Sequence, residues 1–187
     1  MRVFDILLPK IADNKIKGSP YPFYFLCLIS LLSFLRSLIH LFHSDGGAYS
    51  IAGINLTSDH ANEVIFTFAL WGSSQLILGI LQLLVLSRYR SLIPLIYLLL
   101  IIEIALRIFI GHIKPIYFSH TPPGMIANWV LLPIACFMFI LSIRSAMSAE
   151  MNTWSWYKQR FNIWIPPMTY HNTKIFLEYE INNIIHN

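Results

Sequence analysis

Four separate apolar stretches, each of about 20 residues, constrain this chain more than any other feature. They run from Tyr21 to His43, from Val64 to Leu86, from Leu92 to Gly111 and from Ile126 to Met147. Each is long enough to cross the roughly 30 Å hydrocarbon core of a bilayer. Because a lipid-exposed backbone must satisfy its own hydrogen bonds, each stretch is expected to be a helix. The sequence therefore predicts an all-α integral membrane four-helix bundle.

Composition excludes several other classes of protein. Of the 187 residues, 56% are hydrophobic and only 12% are charged, whereas soluble domains carry roughly 25% charged residues. The net charge is +4, but no run of five or six basic residues indicates a nucleic-acid surface. Cys27 and Cys136 lie in separate apolar stretches, too isolated for a disulfide framework or a redox pair. We therefore expect the protein to lie in a lipid bilayer and to bind no nucleic acid.

The basic residues predict how the spans are oriented. They flank the first span on its N-terminal side, the short turn between the second and third spans, and the end of the fourth span: Arg2, Lys10, Lys15, Lys17, Arg88, Arg90, Arg144, Lys158, Arg160 and Lys174. The other two connections hold only Lys114. By the positive-inside rule, both termini are expected in the cytoplasm and the two longer loops outside, in the inner (plasma) membrane of a bacterium.

Three segments are predicted along the chain. Residues 1–20 mix apolar and charged side chains and are expected to form a cytoplasmic amphipathic segment. Residues 21–147 hold the four spans (21–43, 64–86, 92–111 and 126–147). Residues 148–187 begin with several aromatic side chains, which is typical of a tail lying at the membrane interface.

Polar side chains inside the spans predict a ligand-binding pocket. Arg36 and His40 fall on one face of the first span, and Glu103 precedes Arg107 by four residues on the third. Given the predicted orientation, these four residues lie in the outer part of the membrane and can converge on a pocket open to the outside.

The charges of this predicted pocket do not balance. Two arginines face one glutamate, so Asp45, Glu63 or a bound anion must supply the remaining negative charge. The simplest interpretation of Glu103 with Arg107 is nevertheless a structural ion pair that locks two helices together, because a buried charge needs a partner whatever the function.

The second span carries a polar and small-residue face. Its members recur at helical spacing: Gly72, Gln75, Gly79 and Gln82. Glycine allows two backbones to approach closely and glutamine can hydrogen-bond across a helix interface, so this face predicts helix packing.

Three histidines are candidate ligands for a haem or a metal ion. His40 and His43 are three residues apart on the first span, and His112 ends the third. Interfacial histidines are more often hydrogen-bonded surface residues, so no cofactor is expected. The sequence contains neither a Gly-x-Ser-x-Gly elbow nor a phosphate-cradling Gly-Lys-Ser/Thr ending, and no catalytic residues are predicted.

Three segments of the chain carry a family resemblance. They read WGSSQLILG over residues 71–79, SRYR over residues 87–90 and IALRIFIG over residues 104–111. With these features the chain resembles small bacterial four-helix membrane proteins of the DoxX-like and related uncharacterised families over residues 22–147. The resemblance implies the four-helix architecture. It carries over no catalytic residues.

Three functions remain open at this stage. The first is an accessory or interaction subunit of a larger membrane complex, or a self-associating protein, based on the Gly72 and Gly79 surface and the aromatic tail. The second is a binder or transporter of a small anionic or amphipathic ligand, such as a lipid headgroup or a carboxylate, held by Arg36, His40, Glu103 and Arg107. The third is a haem or metal redox protein.

Overall fold

The computed structural model describes residues 3–16, 18–57 and 59–161, and within these ranges the chain contains helices and no strand. The helices are α1 (Val3–Leu7), α2 (Tyr21–Phe42), α3 (Ala61–Arg88), α4 (Ile93–Ile113) and α5 (Pro123–Phe161). One 3-10 turn, Arg90–Leu92, joins α3 to α4. The predicted all-α class is confirmed.

Four of these helices are long and apolar enough to cross a membrane. The candidate spans are Tyr21–Phe42, Ala61–Arg88, Arg90–Ile113 and Pro123–Ser148, with mean hydropathies between 1.8 and 2.5. This agrees with the four predicted spans and defines an integral membrane protein.

The last helix extends further than the predicted span. α5 ends at Phe161, 14 residues beyond the predicted end at Met147. No proline or glycine follows Pro133 until Pro166, so nothing in the sequence breaks the helix where the apolar stretch ends. The first part of the predicted interfacial tail is therefore helical, and residues 162–187 lie outside the described residues.

The helices pair as two hairpins. α2 packs along α3 and α4 packs along α5, while α2 makes fewer contacts with α5 and very few with α4. α3 and α4 also touch very little. We call the line where α3 faces α4 the seam, because it separates the first hairpin (α2 and α3) from the second (α4 and α5).

Buried apolar side chains are concentrated in the half of the bundle that contains the α3–α4 turn. We call this the apolar half, and its core consists of Leu26, Ile29, Val85, Leu86, Ile93, Ile96, Tyr97, Leu100, Ile104 and Ala135. The hydroxyl of Tyr97 donates a hydrogen bond of 2.6 Å to the carbonyl of Pro22 and so links α4 to the start of α2. Ser91 exchanges hydrogen bonds with the backbone of Asp13, which holds the N-terminal segment on the α3–α4 turn.

Candidate functional site

Four polar side chains form one hydrogen-bonded network in the other half of the bundle. Arg36 Nη2 donates to Gln75 Oε1 at 3.1 Å, and Gln75 Nε2 donates to Glu103 Oε1 at 2.8 Å. Arg107 Nη2 lies 3.1 Å from the same glutamate oxygen. This polar network joins α2, α3 and α4 and crosses the seam through the bond between Gln75 and Glu103.

Gln75 has a larger part in this site than the sequence indicated. The spacing from Gly72 to Gln82 predicts only helix packing for it, whereas the structure places its amide between an arginine and a glutamate. An amide can accept from a guanidinium with its oxygen and donate to a carboxylate with its nitrogen. A buried glutamine in an apolar span was the available signal, but its partners depend on which helices are neighbours.

The network lies well below the ends of the helices. Glu103 is ten residues from either end of α4, and Arg107 is six residues before Ile113. Arg36 is likewise six residues before Phe42, where α2 ends. At a rise of 1.5 Å per residue, both arginine positions are about 9 Å from the ends of their helices on the side of the two longer loops.

The two acidic residues that could have balanced the second arginine are engaged elsewhere. Asp45 accepts hydrogen bonds within its own loop and from His43 Nδ1 at 2.6 Å. Glu63 is exposed at the start of α3, 3.6 Å from His60 Nδ1. Among the acidic side chains that the structure describes, Glu103 alone contacts either guanidinium of the network. The network therefore carries one excess positive charge.

Each arginine also retains an unused donor. The Nε atoms of Arg36 and Arg107 are buried, and neither has a hydrogen-bond acceptor within the described part of the chain. A guanidinium carries five N–H donors in a fixed planar geometry that suits a carboxylate or a phosphate. A buried donor without an acceptor is energetically costly. An anion bound next to these Nε atoms would both accept their hydrogen bonds and neutralise the excess positive charge.

His40 lies one turn beyond Arg36 and is buried beneath the loop that follows α2. Its Nδ1 is 2.7 Å from the carbonyl oxygen of Gly46, and because a carbonyl only accepts, this nitrogen must donate. The ring also lies against Trp71, with 4.7 Å between ring centroids. His40 therefore does not contact the polar network directly, in contrast to its predicted place in the pocket.

Trp71 connects His40 to the network. The guanidinium carbon of Arg36 lies 5.6 Å from the centroid of this ring, within the range of a cation–π contact. One aromatic side chain thus contacts both polar residues of α2. The sequence does not predict this role for Trp71, because the spacing of an aromatic residue is the same whether its side chain lines a binding site or faces lipid.

The loop after α2 is organised by the carboxylate of Asp45. Its oxygens accept backbone hydrogen bonds from Gly47 at 2.8 Å, Tyr49 at 3.1 Å and Ser50 at 2.7 Å. Burial by itself would raise the pKa of Asp45, but the hydrogen bonds from Ser50, Gly47 and His43 outweigh it and hold that pKa well below its usual range. The residue stays charged, and the loop stays folded over His40.

The glycine face of α3 packs within the first hairpin. A Cβ atom at Gly72 would lie 2.7 Å from Cβ of His40, and one at Gly79 would lie 3.6 Å from Cα of Phe34. Both glycines thus face α2, and Gln82 is half-buried on the same helix. This surface is therefore occupied within the first hairpin, and the role as an accessory subunit stays a prediction that depends on the aromatic tail.

The three candidate histidines do not come together. His40 contacts Gly46, His43 contacts Asp45, and His112 Nδ1 lies 2.8 Å from the carbonyl of Ile108 on its own helix. In the residues that the structure describes, no group of three or more His, Cys, Asp or Glu side chains is placed to hold a metal ion.

Fold and site together define an integral membrane protein of four long helices with a charged network inside the apolar spans. No protein-family model, curated protein or solved structure matches this chain. The resemblance to DoxX-like proteins therefore stays a prediction.

Proposed function

We propose that this protein binds a small anionic group at the polar network, using Arg36 and Arg107 as its charged contacts. The observation that carries the proposal is the uncompensated charge: the network holds two guanidinium groups and one carboxylate, which contacts Arg107 directly and Arg36 only through Gln75, while Asp45 and Glu63 contact other residues. Charge inside an apolar span is costly unless it is paired, so a bound anion is the missing counter-charge.

A purely structural ion pair explains only part of this arrangement. Glu103 and Arg107 would lock α4 locally, as a pair four residues apart does on many helices. Arg36 is not needed for that pair, and it enters the network only through Gln75. A second arginine whose only hydrogen-bond partner in the network is a neutral amide favours binding of an additional, anionic acceptor.

The direct test is anion binding by arginine variants. In the purified full-length protein, Arg36→Ala and Arg107→Ala should each weaken binding of a carboxylate or phosphate amphiphile by about tenfold or more, since a charge-assisted hydrogen bond contributes roughly 1.5–3 kcal/mol. Arg88→Ala is the matched control, because Arg88 is an exposed arginine at the far end of α3. Equal binding by wild type and both network variants would refute the proposal.

Glu103→Gln provides a test in the opposite direction. The substitution keeps the size of the side chain and removes the carboxylate that competes with a ligand for Arg107. If the network binds anions, this variant should bind the same probe more tightly and gain more thermal stability from it than wild type does. Unchanged or weaker binding would indicate that Glu103 positions the arginines and would count against competition at the site.

We also propose the orientation and location expected from the basic residues, with both termini in the cytoplasm and the two longer loops outside, in a bacterial inner membrane. The test replaces Cys27 and Cys136 and introduces a single cysteine at Tyr49, in the connection after α2, or at Ser87, in the last turn of α3; both positions are exposed. A membrane-impermeant thiol reagent should label position 49 in intact cells and position 87 only after lysis. The reverse pattern would invert the topology.

A further inference from the structure

The loop side of the site is closed. Gly46, Gly47 and Ala48 are buried over the end of α2, and His40 beneath them is only 3% exposed. The loop packs tightly on the His40 ring: a Cβ atom added at Gly47 would lie only 3.1 Å from His40 Nδ1. A ligand arriving from the water outside the loops would have to displace this folded segment.

The second connection reinforces that closure. The backbone N–H and the hydroxyl of Ser119 both donate to the carbonyl of Gly53, at 2.8 and 2.9 Å. Because residues 43–60 connect α2 to α3 and Ser119 lies between α4 and α5, these bonds tie the two hairpins together at their loop ends. The predicted pocket open to the outside is therefore covered by two linked loops.

The seam, in contrast, is open. Glu103 lies at the middle of α4, and yet its side chain is 27% exposed and that of Arg107 is 23% exposed. Leu99 and Leu106, one turn below and above Glu103, are 48% and 53% exposed. On the facing helix, Trp71 and Leu78 flank Gln75 at the same spacing and are also exposed. In a bilayer, these exposed surfaces face lipid chains.

We infer that the ligand is a long-chain fatty-acid carboxylate that enters from the bilayer along the seam between α3 and α4. This inference rests on the proposed function and names its ligand class. The carboxylate is positioned on Arg36 and Arg107, and the acyl chain lies on the exposed apolar side chains that flank the Gln75–Glu103 bridge.

Depth and size favour a carboxylate over a phospholipid headgroup. The network carries a single excess positive charge, which one monoanion neutralises. The guanidinium groups belong to residues about 9 Å along the helices from the loop ends, below the depth at which headgroups lie. A carboxylate is small enough to reach that depth without burying further polar atoms, and it accepts two N–H bonds from one arginine.

The experiment measures binding by the full-length protein in nanodiscs of phosphatidylcholine. Four probes are compared: an 18-carbon fatty acid, its methyl ester, butyrate and phosphatidylglycerol. We expect retention of the fatty acid that falls by about tenfold or more in Arg36→Ala and Arg107→Ala, as loss of a charge-assisted bond predicts. The ester, butyrate and phosphatidylglycerol should show no retention that depends on the arginines.

The other outcomes separate the two proposals. Arginine-dependent binding of butyrate equal to that of the fatty acid would mean access from water and would overturn the lateral route. Arginine-dependent binding of phosphatidylglycerol instead would replace the fatty acid by a lipid headgroup. Retention of no probe in an arginine-dependent way would refute the anion site itself.

A pair of leucine variants tests the path of the chain without touching the charges. Leu99 lies one turn from Glu103 on the same helical face, whereas Leu31 is a similarly exposed leucine on α2 that lies on a different face from Arg36. Leu99→Gln should weaken fatty-acid retention severalfold, because a polar side chain interrupts the apolar surface, and Leu31→Gln should leave retention unchanged. Equal retention by the two variants would remove the seam as the acyl-chain site.

Discussion

The two halves of the bundle differ in what holds their helices together. In the apolar half, Leu26 and Tyr97 are fully buried, and the core around them consists of aliphatic side chains. In the half that contains the polar network, Ser37, His40 and Gln75 are buried instead. Lipid tails are as apolar as leucine, so burying leucine between helices yields little hydrophobic gain in a membrane. In the polar half, the hydrogen bonds from Arg36 to Gln75 and from Gln75 to Glu103 therefore contribute to which helices are neighbours.

The halves also differ in how tightly the backbones approach. Gly72 lies against the backbone of α2 at His40, so the two helices of the first hairpin approach each other more closely there than at Gly79. At Gly79, nearer the apolar half, a Cβ atom would fit between the same two helices at an ordinary van der Waals distance from Phe34. This contrast offers the strongest way to separate the contributions of the two halves.

The largest effect is expected for Gly72→Ala. A Cβ atom there would lie 2.7 Å from His40 Cβ and 3.1 Å from the His40 carbonyl carbon. Since backbone cannot move aside as a flexible side chain does, α2 and α3 must separate. We expect a loss of about 3 kcal/mol, at the upper end of the range for overpacking, measured as thermal or denaturant unfolding in detergent.

Gly79→Ala is the matched control, since it makes the same substitution two turns along the same helix. Its Cβ atom would lie 3.6 Å from Phe34, and alanine favours the helix by about 0.8 kcal/mol or more. We expect unchanged or slightly higher stability. Equal losses in the two variants would show that the close approach is not confined to the polar half.

A smaller effect is expected from the hydrogen bond of the apolar half. Tyr97→Phe removes the hydroxyl that donates to the Pro22 carbonyl and leaves that acceptor buried. The expected loss is about 1–2 kcal/mol of unfolding free energy, with binding at the polar network unchanged. Tyr24→Phe is the control, because Tyr24 is an exposed tyrosine on α2. A fall in ligand binding by Tyr97→Phe would show that the halves are coupled.

The sequence predicts the fold better than it predicts the site, and the reason is physical. A span of 20 apolar residues forms a helix because the bilayer leaves no other means of satisfying its backbone, so each helix can be located from local sequence. The partners of Gln75 depend on contacts across the seam, which no local pattern contains. Helical spacing places Arg36 and His40 on one face, but it does not indicate that a loop covers His40.

The loop also shows where a spacing argument fails. The turn-forming residues after His43 and the acidic side chain of Asp45 are visible in the sequence, and Asp45 was a candidate counter-charge for the arginines. The carboxylate instead binds the amides of Gly47, Tyr49 and Ser50. An aspartate next to glycines commonly bonds its own neighbouring backbone, and this local alternative prevails over a distant partner.

The smallest effect should be confined to this loop and should depend on pH. The folded loop lowers the pKa of Asp45 below its ordinary value of 3.8. A carboxyl group whose pKa is lowered by folding stabilises the folded state fully above its unfolded pKa, and this contribution is lost as the pH falls through the lower folded value. Hydrogen-exchange protection of the Tyr49 and Ser50 amides should therefore stay constant from neutral pH to about pH 4 and decline only below it.

Asp45→Asn should imitate the protonated carboxyl group at neutral pH. One carboxylate oxygen is replaced by an amide nitrogen, which cannot accept the hydrogen bonds that the backbone N–H groups of Tyr49 and Ser50 donate. We expect about tenfold faster exchange of these two amides, with the exposed Asp59→Asn variant unchanged. If these amides stay protected in Asp45→Asn, the loop is held over His40 by the contacts of Gly46 and Gly47 alone. Packing, and not the charge of Asp45, would then stabilise the loop.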